Sequence, residues 1–240
     1  ARMQVPFVRE HQEDREISAW FLLDMSGSMD FGSANITKRQ VMMNFVGVMA
    51  KLLMKRGNRI GALILNPAES DGFTFIPPRM GRRHLLHVLH VLETSSQAQD
   101  AHQTNLREWL AKANGLIKRR SSVFVVSDFM SHFNWASELS ALGRRHDTVA
   151  ARLFDPAEMT LPNAGLMLLQ DSETSEQLLL DTANAKFRSR YAQLVEERET
   201  QLATCFSQAG VDALELSTHE DLANAMLRFS ELRKRRVWRA

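Results

Sequence analysis

The sequence predicts an α/β fold: a doubly wound, mostly parallel central sheet flanked by helices, with one antiparallel edge strand. Three observations carry this. Four short apolar runs recur, "AWFLL" (19–23), "RIGALIL" (59–65), "SVFVV" (122–126) and "TVAARLF" (148–154). None alternates apolar with polar residues, which is how strands buried on both faces read. Helical periodicity fills the intervals between them, and strand–helix alternation of this kind builds a parallel sheet covered on both sides.

Taken in order, residues 38–56 place Val41, Phe45, Val48, Met49 and Leu52 at helical spacing and stop at Gly57 behind basic residues. "GFTFIPP" (72–78) reads as an edge strand, because its prolines cannot donate to a ladder. Helices follow over 81–92, 106–117 and 135–142. Beyond Asp155 come two short strand candidates, "GLMLLQD" and "EQLLLD", then a long helix from Ala185 to about Ala209, a strand over 213–216 and a last helix from Glu220. With no repeat, low-complexity tract or linker, the 240 residues are expected to form a single domain.

Composition narrows the function classes. A formal net charge of +2 gives no electrostatic case for a general nucleic-acid or membrane-surface binder. The basic tail "LRKRRVWRA" (232–240) reads as a solvated helix end that complements the helix dipole. No apolar run approaches the roughly 20 residues needed to cross a bilayer, and no signal peptide is visible. The lone Cys205 falls in an amphipathic helix, away from any His/Asn pair, and reads as an inert reduced thiol in a cytoplasmic protein.

Chemistry concentrates where the first apolar run ends. Asp24 closes that strand, Ser26 and Ser28 follow two residues apart in a tight loop, and Gly27 between them leaves the turn unobstructed. Asp128 directly follows "SVFVV", the strand expected beside the first. Ligands of open parallel sheets bind beyond the carboxyl ends of the strands, where strand order reverses. Two carboxylates brought together there repel unless a cation lies between them. A few hard oxygen donors that leave room for water suit Mg²⁺, and Mn²⁺ fits the same set.

The pattern "DMSGSM", a later threonine and a later strand-end aspartate together resemble the metal-ion-dependent adhesion site of von Willebrand factor A domains, written D-x-S-x-S, then T, then D. Asp24, Ser26 and Ser28 match the first part, Thr104 in "HQTNLREWL" the second, and Asp128 in "VVSDF" the third. "VREHQEDREISAWFLLDMSGSMDFGS", "SDFM", "RRHDTVAARLFDPAE" and "LPNAG" further resemble the bacterial domain-of-unknown-function family fifty-eight, von Willebrand A-like proteins often encoded beside MoxR-type AAA+ ATPases. In that family a motif containing Arg, Asp and Trp ends near the position of Ala1 and Arg2. Its absence implies that the sequence is a piece of a longer protein.

The resemblance implies a module whose metal accepts a carboxylate from a partner protein, acting as adaptor to a MoxR-type AAA+ ATPase. Asp30, His132 and the apolar Met29 and Phe31 are expected on the rim of that contact. For Met29 and Phe31 the alternative is packing of the loop onto the domain, more so for Phe31. Catalysis is the competing class, as a Mg²⁺-dependent hydrolase or phosphatase. Against it, the loop lacks the second acid of an aspartyl-phosphate D-x-D motif, and neither a phosphate-binding G-x-x-x-x-G-K-[ST] loop nor a G-x-S-x-G elbow occurs. A scaffold with a purely structural metal is the third reading. His84, His87 and His90 read as a polar helix face opposite Leu85, Val88, Leu89 and Leu92, and "DPAE" (155–158) reads as a turn without chemistry.

Overall fold

In a computed structural model, which describes residues 18–33, 35–66, 69, 71–95, 105–170 and 177–237, six strands form one sheet in the order β3-β2-β1-β4-β5-β8. The strands are β1 (Ser18–Asp24), β2 (Arg59–Leu65), β3 (Phe73–Arg79), β4 (Ser122–Ser127), β5 (Asp147–Phe154) and β8 (Asp212–Ser217). All pair in parallel except β3, which runs antiparallel to β2 at the edge. This is the doubly wound, mostly parallel arrangement expected from the apolar runs. The prolines of "FTFIPPR" sit on the edge strand, as their missing N–H groups require.

Among the described residues the helices are α1 (Lys38–Lys55), α2 (Arg82–Thr94), α3 (Leu106–Leu116), α4 (Ala136–Arg145), the single turn α5 (Pro156–Met159) and α6 (Ala185–Ala209) between strands, and α7 (Leu222–Val237) after the last strand. The continuous apolar character of the strands follows from burial on both faces. Ala19, Phe21 and Leu23 of β1 point into a core with Met42, Phe45 and Val46 of α1 and Val88 of α2. Trp20 and Leu22 point the other way, onto Trp109 and Leu110 of α3, Leu139 of α4 and Phe206 of α6. Strands β6 (Leu166–Gln170) and β7 (Gln177–Asp181) form a separate antiparallel hairpin whose Leu166, Leu168, Leu178 and Leu179 are exposed.

Local signals set the ends of the elements. Thr37 caps α1 with a reciprocal capping box, its hydroxyl accepting from the Gln40 amide while the Gln40 side chain accepts from the Thr37 amide. Helix α6 ends on Gly210 in the left-handed conformation. Chain order reverses between β1 and β4, so the carboxyl ends of these neighbours flank the crevice where an open sheet offers a site.

Phe45 is fully buried and packs edge-on against Phe124, whereas Val48 on the same helix is exposed. Phe45→Ala is therefore expected to lower the unfolding free energy by about 3–5 kcal/mol. Val48→Ala is expected to change it by less than about 0.5 kcal/mol; denaturant titration of both variants checks the contrast.

Candidate metal centre

Asp24 is the last residue of β1 and Asp128 the first after β4, and the two strands pair in register up to Leu23 and Val126. Both carboxylates are buried. Asp24 Oδ1 accepts the Ser26 amide at 2.9 Å and Oδ2 the Ser127 hydroxyl at 2.6 Å. Burial first, and then the charge of Asp128, push the Asp24 carboxyl up to about 6. The two acids therefore act on each other across the crevice.

Ser26 and Ser28 open a 3-10 turn over Gly27–Asp30, and their Oγ atoms lie 3.1 Å apart. Bonds of 2.0–2.1 Å at right angles place neighbouring oxygens of an octahedral shell about 2.9 Å apart. The two hydroxyls are within hydrogen-bond distance of each other, a separation close to one edge of such a shell, and two buried carboxylates stand at the neighbouring strand ends. This donor set fits a small divalent cation. Thr104, the remaining donor implied by the motif, lies outside the described residues.

The rim expected from the sequence is rearranged. Met29 is fully buried in the core with Met25 and Met42, because the 3-10 turn swings it inward; it is not a contact residue. Phe31 is the exposed member of the pair, at 43%. Asp30 is held by Arg39, which contacts its two carboxylate oxygens at 2.5 and 2.8 Å and also donates to the Ser95 carbonyl. His132 is exposed at the start of a 3-10 turn over Phe133–Trp135.

The main feature the sequence reading missed is Lys38. Its side chain is fully buried, and its ammonium donates to Asp128 Oδ2 at 2.8 Å and to Glu158 Oε1 at 2.6 Å. Burial alone would lower the lysine's pKa; the charges and hydrogen bonds of Asp128 and Glu158 outweigh it and hold the group above its ordinary value. Arg198 lies behind this pair, donating to the carbonyls of Phe129 and Ser131.

Asp155 at the end of β5 was likewise read as a bare turn. It is buried and accepts from the Ser33 amide at 2.8 Å, the Ser33 hydroxyl at 2.6 Å, the Thr218 hydroxyl at 2.6 Å and the Ala157 amide at 2.8 Å. The Ser33 hydroxyl also lies 3.0 Å from His219 Nε2. Burial would raise the carboxyl, but these bonds prevail and bring it to about 2. A signal was present: Asp155, like Asp24 and Asp128, is an acid at the carboxyl end of a buried strand, and D-P-x-E is a capping box.

Phe129, directly after Asp128, has φ of 54°, the one non-glycine residue with positive φ among the described residues. Such a conformation costs on the order of 1–3 kcal/mol. It is held by the Phe129 amide bonding to Ser127 Oγ at 3.0 Å and by the ring packing on Trp135 and Phe206. The Met130 amide then reaches Asp128 Oδ1 at 3.0 Å.

The comparisons with known proteins follow the fold. The family described as Protein of unknown function DUF58 matches residues 1–201. The uncharacterized protein Rv1480 of Mycobacterium tuberculosis is 32% identical over 237 residues, covering 98% of this chain and 73% of that protein. Mb1516 of Mycobacterium bovis matches with the same figures. Among solved structures, the conserved hypothetical protein BatB from Bacteroides thetaiotaomicron has a TM-score of 0.57 at 13% identity, over 91% of this chain and 98% of that one. An aerotolerance-related membrane protein from Bacteroides fragilis has the same TM-score at 11% identity, over 91% and 99%. At these identities the structural likeness shows the fold.

Lys38→Met is expected to cost about 3–5 kcal/mol of stability, since it leaves Asp128 buried without its counter-charge. Adding Glu158→Gln should recover part of that loss in the same denaturant titration. Asp155 is expected to contribute about 2 kcal/mol above about pH 4, because its folded-state carboxyl ionises at about 2 against 3.8 unfolded. That contribution is lost as pH falls from about 4 to 2. Asp155→Asn should flatten this acid limb of the stability curve; an unchanged limb would assign the acid loss to other groups.

Proposed function

The chain belongs to the DUF58 family, and from that premise we propose that it is a metal-dependent protein-interaction module. Asp24, Ser26, Ser28 and Asp128, with Thr104 from the following segment, would hold Mg²⁺ or Mn²⁺. The ion supplies an open coordination position for a partner's Asp or Glu. The observation that supports this best is the pair of hydroxyls 3.1 Å apart beside two buried, mutually repelling carboxylates at the strand-order reversal.

The chain's own residues supply the rest. Neutral serine hydroxyls leave the ion electrophilic, so an incoming carboxylate adds a charge-assisted bond. Ser127 and the Ser26 amide orient Asp24 and leave one lone pair on each oxygen for the ion or its waters. Phe31, Met130 and His132 are exposed and lie within a few residues of Ser28 or Asp128 in sequence, so they would offer a mixed apolar and polar contact surface.

A hydrolase reading finds less support: among the described residues no group of three or more His, Cys, Asp or Glu is placed to share an ion, whereas two-metal chemistry needs several acidic donors. The sequence resemblance adds a role as adaptor to a MoxR-type AAA+ ATPase, with a cytoplasmic location that suits the single thiol Cys205. Among the described residues no helix is long and apolar enough to cross a membrane.

Capture of partners from a cell extract with wild type and Asp24→Ala, each with and without EDTA, tests the reading. Partners are expected to be lost on chelation and in the variant. Partners retained under both treatments would overturn the metal-dependent reading and favour a scaffold.

A further inference from the structure

Lys38 is in an expensive place. It is the first residue of α1, at the helix end where a positive charge opposes the dipole. Its ammonium is fully removed from water, which is costly for any charge. Helix stability therefore gives no reason for a cation here; the reason lies in the partners. Asp128 Oδ2 accepts the ammonium and Oδ1 accepts the Met130 amide, so both oxygens are engaged before any ion arrives. Glu158 keeps the ammonium in place from the far side, anchored in turn by its own Oε2 accepting the Asp155 amide at 3.0 Å.

We propose that Lys38 is a built-in competitor for the cation: its ammonium, clamped by Glu158, occupies Asp128 and so sets how tightly the Asp24–Ser26–Ser28–Asp128 site binds a divalent ion. The inference rests on the cation reading above only in locating the ion between Asp24 and Asp128. A divalent ion bound there shares a carboxylate with a monovalent one, and the two repel across a poorly hydrated gap. Ion binding in the free protein is correspondingly weak. An incoming carboxylate adds a negative charge next to both cations, so ion and acidic partner strengthen each other's binding.

The test measures uptake of Mn²⁺ alone, by electron paramagnetic resonance of the free ion, with no partner present. Wild type is compared with Asp24→Ala, Lys38→Met and Lys38→Met/Glu158→Gln, each checked for folding by circular dichroism. The double variant keeps the net charge of wild type and removes the hydrogen bond that competes for Asp128; it carries the comparison if Lys38→Met alone fails to fold. Affinity is expected to rise by about tenfold or more in the double variant and to fall in Asp24→Ala.

Unchanged or weaker binding in a folded double variant overturns the competitor role. Uptake by the double variant but not by wild type at millimolar Mn²⁺ supports Lys38 as competitor while removing cation dependence from the natural chain's function. Absence of uptake in every variant overturns both.

Discussion

Two carboxylates buried next to each other at the ends of β1 and β4 form the constraint around which this edge of the sheet is built. Each charge is costly without water, and the surrounding chain is arranged to meet that cost. The Ser26 amide and Ser127 hydroxyl serve Asp24, while the Met130 amide and the Lys38 ammonium serve Asp128. Even the left-handed backbone at Phe129 belongs to this arrangement, because it turns the chain so that Met130 can reach back to Asp128. The aromatic cluster of Phe129, Trp135 and Phe206 then supplies the packing that holds the turn.

The same polar framework joins loops that are distant in sequence. Glu158 bonds Lys38 at the head of α1, its Oε2 accepts the Asp155 amide, and its carbonyl accepts the Tyr191 hydroxyl from α6. Asp155 holds Ser33, only a few residues beyond the Ser26–Ser28 turn, to Thr218 at the end of β8. Gly32 belongs to this closure: a Cβ there would come within 2.3 Å of the Ile36 carbonyl oxygen, so the loop folds back on itself only without a side chain. The carboxyl edge is thus a web of short hydrogen bonds laid over two apolar layers, and the position of Asp24 depends on residues more than 100 positions away.

How much of this was legible follows from the range of each interaction. The strands could be read from the sequence because burial on both faces leaves an apolar run, as with Trp20 and Leu22 on one side and Phe21 and Leu23 on the other. Asp24 and Asp128 could be found because an acid that ends such a run breaks its pattern. Lys38 could not, since a lysine opening an amphipathic helix looks like a solvated one, and its partners lie 90 and 120 residues away. Met29 was misplaced because an apolar residue among polar ones in a loop resembles a surface contact; only the 3-10 turn directs it beside Met25 and Met42. The role of Asp155 was hidden in a D-P-x-E turn whose capping function is local but whose bonds to Ser33 and Thr218 are not.

The central claim is that one divalent ion occupies the edge formed by Ser26 and Ser28 between Asp24 and Asp128. Anomalous scattering from crystals grown with Mn²⁺ tests it most directly. The account predicts a single peak about 2.2 Å from both serine hydroxyls, within direct or one-water reach of the two carboxylates. A map with no peak there, or with manganese only at surface acids elsewhere, would contradict it.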